Sequence, residues 1–409
     1  MKKNLLFILP FLPYPLTTGG HQAIFNGITC VKDDFNIYIA YYCTGRNIRA
    51  EKEFLTHVPY ATLLPMDTSH KPVSFKARIW NKIKRISTVE EQKCYPADKN
   101  AKYDLWLWSN RPQSAKWQQF VWDACKKYKI DIAQVEMPWI SSFILSLPDN
   151  VKKIYVHHEL AFVKHGLELK DDSDNLYAQT AYKHTFISEI GMLNMADHII
   201  TLSPVDKKKL EDAGVTTPIT SSFAVVNTDT ECEPYLCDDR ILTFVGPDDN
   251  QPNKIGLRWF LDNCWNSLKK KEQAYQLKII GKWREDNKKA ILKDYPEVQF
   301  LGFVDNLYDT MKGSVMIVPI TVGSGIRMKI LEAASMGVPF VSTTVGAEGI
   351  PLTDGKDCFL TDNPETFVED IINLQDDALK TQFIEGANKM VKEYYSLGAL
   401  RTSRLTVYN

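Results

Sequence analysis

The stretch VPITVGSGIRMKILEAASMGVPFVSTTVGAEG, Val318 to Gly349, decides the reading of this 409-residue chain. Val315 to Pro319 has the continuous apolar character of a buried strand, and it runs into Gly323-Ser324-Gly325. Apolar spacing from Ile326 to Met336 predicts a helix, Gly337 stops it, and Pro339 to Thr343 predicts a second strand. The helix start carries charge of the wrong sign, because Arg327 and Lys329 lie in or beside the first turn. The helix dipole makes that end electropositive, so each cation costs roughly 0.3–1 kcal/mol unless an anion sits against it. Free backbone N–H groups, glycines that admit close approach and two cations together describe a seat for a phosphate or diphosphate.

Working outward, the chain is too long for one ordinary core, and two α/β domains are expected. Lys plus Arg (49) balances Asp plus Glu (50), so no overall field recruits nucleic acid. The eight cysteines form no CxxC or Cys/His cluster, which points to reduced thiols in a cytoplasmic protein and no structural zinc. MKKNLLFILPFLPYPL at the start imitates a secretory signal, but prolines 10, 13 and 15 break the apolar run. A first parallel strand, Asn4 to Leu9, is the better reading, and no run of about eighteen apolar residues predicts a membrane span.

After that strand a proline-rich loop reaches Gly19-Gly20 and a helix predicted from His21 to Val31. Further strands are predicted at Phe35 to Tyr42, Ile130 to Val135, Lys152 to His157 and His198 to Leu202, separated by helix-length sequence, the pattern of a doubly wound parallel sheet. Ser74 to Ser87, SFKARIWNKIKRIS, is a basic amphipathic helix without an acid, able to lie on an anionic membrane or simply to pack on the core. Tryptophans 106, 108, 117 and 122 follow and are read as core rather than sugar-stacking residues. KKIYVHHE, Lys152 to Glu159, delivers His157 and His158 to the end of a strand, where ligand crevices of such sheets lie. Neighbours on an extended segment face opposite ways, so at most one of the two enters a given cleft.

A second series of strands is predicted at Ile241 to Val245, Gln276 to Ile280, Val298 to Leu301, Val315 to Val318, Pro339 to Thr343 and Asp357 to Leu360. The first ends in Gly246 and opens the loop PDDNQPNKIGLRWF; the second ends in Gly281. The boundary between halves falls near Val215 to Thr230.

These residues resemble the glycosyltransferases of the GT-B fold, and in particular family 4, the group 1 glycosyl transferases, mostly retaining enzymes with a nucleotide-sugar donor. GSGIRMKILEAASMGVPFVSTTVGAEGI (Gly323 to Ile350) is similar to that family's donor block, FVGPDDNQPNKIGLRWF to the first strand and loop of the same domain, and ADHIITLSPVDKKKLEDAG (Ala196 to Gly214) to the end of the acceptor domain. The resemblance implies two Rossmann-like doubly wound domains facing each other across a cleft. It assigns residues 1–218 to the acceptor side, 219–385 to the nucleotide-sugar donor, and 386–409 to a helix crossing back to the first domain.

Carried over position by position, Arg327 and Lys329 would hold the donor diphosphate and Glu332 the nucleotide ribose, a task suited to a carboxylate that accepts from vicinal hydroxyls. Gly246, Ser324 and Gly325 would line the donor loops, and Gly19 and Gly20 would approach the phosphates. His157 or His158 would steady the reacting sugar as the catalytic histidine. Many members carry a second glutamate eight positions before the first; here that position is Ser324, which weakens inference about the sugar. No metal or cofactor is expected, since the two cations and the helix start would take the leaving group's charge. The function implied is transfer of a hexose-type sugar to a saccharide or lipid-linked acceptor, in surface polysaccharide or glycan synthesis. The alternatives are a nucleotide-sugar epimerase on the same fold and a binding protein without turnover. The partners are then the donor, the acceptor and, through residues 74–87, a peripheral contact with an anionic membrane.

Overall fold

The computed structural model describes residues 2–16, 19–43, 47–67, 100–108, 111–222, 225–226, 240–272, 274–323 and 325–409. The basic segment 74–87, Ser324, Cys94, Cys232 and Cys237 lie outside the described residues. The chain divides into two compact units: Met1–Leu202 with Asp206–Ser222 and Ser403–Asn409, and Ser203–Val205 with Phe223–Thr402.

In the first unit a parallel sheet has the order β3-β2-β1-β4-β5-β6-β7. Its strands are β1 (Asn4–Leu9), β2 (Asn36–Cys43), β3 (Thr62–Asp67), β4 (Ile132–Glu136), β5 (Lys152–His157), β6 (His198–Thr201) and β7 (Ile219–Ser221). Leu5 to Leu9 are all fully buried, as expected of a strand with both faces of its sheet covered, and only Asn4 at the start of β1 is partly exposed. One face carries Leu6, Ile8, Ala133, Val135 and Tyr155 into a single apolar cluster with residues of the flanking helices. Chain order reverses between β1 and β4, so the loops after these two strands open at the switch point of the sheet.

The second unit repeats the scheme with the order β10-β9-β8-β11-β12-β13. Here the strands are β8 (Ile241–Val245), β9 (Gln276–Ile280), β10 (Gln299–Gly302), β11 (Val315–Val318), β12 (Phe340–Ser342) and β13 (Phe359–Leu360), and every pairing is parallel. The switch point lies between β8 and β11. Trp265 is completely buried among Phe260, Leu268 and Leu277, and its indole N–H donates to Glu297 at 2.7 Å, which satisfies the one polar atom that burial would otherwise strand.

Two strands were not anticipated. TLLPMD of β3 contains Pro65, which argues against a central strand, and β3 is indeed an edge strand, where a missing N–H does little harm. β7 is three residues long, too short for any alternation to register. Trp106 is buried against Tyr103 and stacks on His165 with ring centroids 4.7 Å apart, while Trp117 and Trp122 are partly buried beneath Lys116 and Lys126. The last helix, Leu397–Tyr408, ends within the first unit: Lys152 Nζ donates to the Val407 carbonyl at 2.6 Å, and the Tyr408 ring meets Phe35 edge-on. Among the described residues no helix is long and apolar enough to cross a membrane.

Gly256, on the helix Gln251–Phe260, fixes how closely that helix approaches the end of β11, since a Cβ there would lie 2.5 Å from the Pro319 carbonyl oxygen. Backbone on both sides leaves little room to yield. Gly256→Ala is therefore expected to destabilise the protein by about 1–3 kcal/mol, the usual cost of overpacking; urea unfolding that gives the same midpoint for both proteins would contradict this.

Candidate active site

The donor-side residues gather at the switch point of the second sheet. β11 ends at Val318, and the chain passes through Gly323 and Gly325, with φ of +116° and +85°, before the helix Met328–Ser335 begins. Positive φ at both glycines lets this loop curl around Arg327, whose Nη1 donates to the Gly325 carbonyl at 2.6 Å. A Cβ on Gly323 would stand 3.0 Å from Arg327 Nη2. Arg327 is the residue capping the helix start and Lys329 lies in the first turn, so both predicted cations sit where the dipole disfavours them. Gly337, at φ +70°, follows the last turn.

Lys329 has an unusual set of neighbours. Its Nζ donates to Asn253 Oδ1 at 2.9 Å and lies 5.0 Å from the centre of the Phe244 ring. Asn253 is buried and its Nδ2 donates to the Pro247 carbonyl at 3.0 Å, which fixes the amide with its oxygen toward the lysine. Burial, with Arg327's charge second, lowers the ammonium from its ordinary 10.5 to about 7. Burial also lowers the Arg327 guanidinium and raises the Glu332 carboxyl above the usual carboxylate range, with Lys329 opposing the latter shift. All three residues are half-buried at or within the first turns of the helix, with Glu332 acting on Lys329 and Glu348 on Arg327.

Gly246 serves this arrangement by its lack of a side chain. A Cβ there would come within 2.5 Å of Asn253 Nδ2, so Gly246 is the space into which Asn253 packs. Gly281 has a Cβ position 2.7 Å from the Gly246 backbone, and Trp283 Nε1 donates to the Gly246 carbonyl at 2.9 Å. Asn253 was not singled out in the sequence; the signal, an asparagine after a strand-end glycine within GPDDNQPN, becomes readable only when the two are known to touch.

In the first unit Gly19 and Gly20 are the opening residues of the helix Gly19–Thr29, Gly19 exposed and Gly20 half-buried. The two histidines at the end of β5 separate by strand parity. Glu136 of β4 pairs with Val156 of β5, so Glu136, Val156 and then His158 lie toward one face, while Val135, Tyr155 and His157 lie toward the other. His157 Nε2 meets Glu189 Oε1 at 2.9 Å, and the same carboxylate accepts from the N–H groups of Ala161 and Phe162 at 3.1 and 2.8 Å, capping the helix Ala161–Lys170. The His157 side chain is 2 % exposed, and its Nδ1 is buried without a partner. His158 Nε2 meets Glu136 Oε2 at 2.5 Å, and its side chain is 8 % exposed. Glu136 and Glu189 were not singled out in the sequence. The residue after Glu136, Met137, adopts φ 79°, a left-handed conformation at the switch point of the sheet.

With this geometry in hand, comparison with known proteins identifies the relatives. Residues 239–377 match the family model described as Glycosyl transferases group 1, the family whose motifs the sequence resembles. Among solved structures, TarM of S. aureus superposes with a TM-score of 0.69 at 13 % identity, covering 100 % of this chain and 99 % of its own. Sucrose-phosphate synthase from Thermosynechococcus elongatus gives 0.66 at 13 % identity, covering 99 % and 98 % of the two chains. HepE of Anabaena in complex with UDP gives 0.62 at 11 % identity, covering 99 % of each. At these identities the likeness establishes the fold, two Rossmann-like parallel sheets of the GT-B type. Among curated protein sequences none matches the chain.

The depressed Lys329 value has a consequence for stability. Folded Lys329 titrates near 7 and an unfolded lysine near 10.5, so the unfolded chain holds the extra proton between those values. The destabilisation it causes is fully present below about pH 7 and vanishes above about pH 10.5. Lys329→Met is therefore expected to gain stability relative to the parent at pH 7, with the difference moving against the variant as pH rises to 10. Urea unfolding of both proteins at the two pH values measures it; a difference independent of pH would contradict the burial argument.

Proposed function

We propose that the protein is a glycosyltransferase that moves a hexose-type sugar from a nucleoside-diphosphate sugar to a saccharide or lipid-linked acceptor, with retention at the anomeric carbon, in the assembly of a surface polysaccharide or glycan. The second unit is the donor domain and the first serves the acceptor. The observation that carries this reading is the placement of Lys329 and Arg327, two half-buried cations at a helix start on a topological switch point. A diphosphate suits that place: it accepts from the N–H groups, complements the dipole and adds negative charge beside Arg327 and Lys329, on which the carboxylates Glu348 and Glu332 already act.

In this mechanism the bond from the anomeric carbon to the diphosphate oxygen breaks as negative charge grows on the leaving group. Arg327, Lys329 and the first turn of the helix Met328–Ser335 hold that charge at fixed positions, so little reorganisation accompanies the step. Glu332 accepts from the ribose hydroxyls, and its half-buried carboxyl gains hydrogen bonds that its surroundings otherwise withhold. Glycines 323 and 325 let the backbone approach the phosphates. His158, rather than His157, serves the reacting sugar, because its side chain is the more exposed of the two, 8 % against 2 %. Glucose, or another hexose carried on UDP, is the first donor to try, HepE having been solved with UDP.

Arg327→Ala is expected to weaken nucleoside-diphosphate binding by about 1.5–3 kcal/mol, roughly 10- to 100-fold, the scale of a hydrogen bond to a charged group. Calorimetry with UDP, GDP and ADP measures the loss, and unchanged binding would remove the diphosphate assignment. Release of nucleoside diphosphate that depends on added acceptor is the expected activity; conversion of donor alone would identify an epimerase instead.

A further inference from the structure

A buried polar chain in the first unit ends on His158. Gln134 lies in the middle of β4 and is completely buried, an expensive place for an amide unless both its ends are satisfied. Gln134 and Glu136 are two residues apart on the strand and so share a face, and Gln134 Nε2 donates to Glu136 Oε1 at 2.6 Å. Tyr408 lies on that same face and donates its hydroxyl proton to Gln134 Oε1. Arg404, one turn earlier on the terminal helix and 2 % exposed, places its positive charge near the Tyr408 hydroxyl, while its Nε and Nη1 have no partner among the described residues. On the other side of the carboxylate stands His158 Nε2.

The direction of each bond is forced. An ionised carboxylate can only accept, so the Gln134 amide must turn its NH2 toward Glu136 and its oxygen toward Tyr408. For the same reason the proton between His158 and Glu136 belongs to Nε2. Donors therefore run from Tyr408 through Gln134 to Glu136, and from His158 to Glu136 in the opposite sense. A neutral His158 held this way carries its lone pair on Nδ1.

We infer that Tyr408, Gln134 and Glu136 are positioning residues that fix His158 as its Nε2–H tautomer and hold the ring in one orientation, so that the terminal seven residues act on the reaction through a side chain they do not touch. The kinetic part of this inference rests on the proposed transferase function; the tautomer does not. The ionisable neighbours of the chain are Tyr155 on β5, close to both Glu136 and Glu189, and Cys30 beside Tyr408. His157, on the opposite face, belongs to a separate pair with Glu189, whose remaining bonds cap a helix rather than reach toward the terminus.

The test uses the full chain with labelled histidine. Long-range proton–nitrogen spectra, assigned with His158→Gln, report which ring nitrogen carries the proton. The wild-type protein is expected to show His158 as Nε2–H. Tyr408→Phe keeps the ring packed on Phe35 and removes only the hydroxyl; Glu136→Gln leaves one acceptor oxygen for two donors. Both are expected to yield mixed tautomers. In transfer assays kcat is expected to fall about 3- to 10-fold for Tyr408→Phe and at least 100-fold for Glu136→Gln, with donor KM within twofold and the acid limb of the kcat profile displaced. A wild-type Nδ1–H tautomer would overturn the inference, as would a tautomer and pH profile unmoved in both variants. Tautomers that shift as expected in a protein that transfers no sugar would leave the positioning chain standing and defeat the transferase reading.

Discussion

The start of the helix Met328–Ser335 is built around a lysine whose ammonium has been taken out of water without a carboxylate partner at hydrogen-bond distance among the described residues. Lys329 is held by one amide oxygen, lies near the Phe244 ring and has Arg327 as a like-charged neighbour. Desolvating a cation costs several kcal/mol unless opposite charge compensates it, and the helix dipole adds to that cost. The local architecture serves to keep the charge there. Gly246 makes room for Asn253, Asn253 is oriented by the Pro247 carbonyl, and Arg327 lies against Gly323 and donates to the Gly325 carbonyl. A fold that tolerates such an arrangement pays for it in stability and recovers the loss when an anion arrives.

The first unit solves a different problem, how to bury five ionisable or amide groups beneath the end of a sheet. Strand parity splits them into two sets. On one face His157 and Glu189 close on each other, and the Glu189 carboxylate caps a helix. On the other, Gln134, Glu136 and His158 form a line that the terminal helix completes through Tyr408. Partly satisfied networks of this kind are costly, and fully connected ones specify a unique geometry. Of the two histidines, His158 is the less buried, its side chain 8 % exposed against 2 % for His157.

The donor block was legible because its information is local. Strand, glycine loop, helix and strand lie within Val318 to Gly349, and a cation in a first turn is visible without any tertiary contact. The strands of the second unit follow from apolar runs that burial on both faces makes continuous, and three of them, Ile241–Val245, Gln276–Ile280 and Val315–Val318, fall at the expected bounds. What stayed hidden depends on distance along the chain. Tyr408 and Gln134 are 274 residues apart, Lys329 and Asn253 are 76, and no spacing rule connects them. Gln134 did leave a trace, a polar residue inside an apolar strand, whereas Glu136 falls just past the end expected for that strand. Pro65 concealed an edge strand for the reason that permits it there, a missing N–H directed away from the ladder.

The central claim is that Lys329 is held short of its proton until a diphosphate supplies the charge it lacks. The direct measurement is the proton inventory of nucleoside-diphosphate binding, obtained by calorimetry at pH 8 in buffers of different ionisation enthalpy. With the free lysine titrating near 7 and the bound one returned toward 10.5, binding should take up most of one proton, and Lys329→Met should abolish that uptake. Binding of the same affinity with no proton taken up by the wild-type protein would contradict the account.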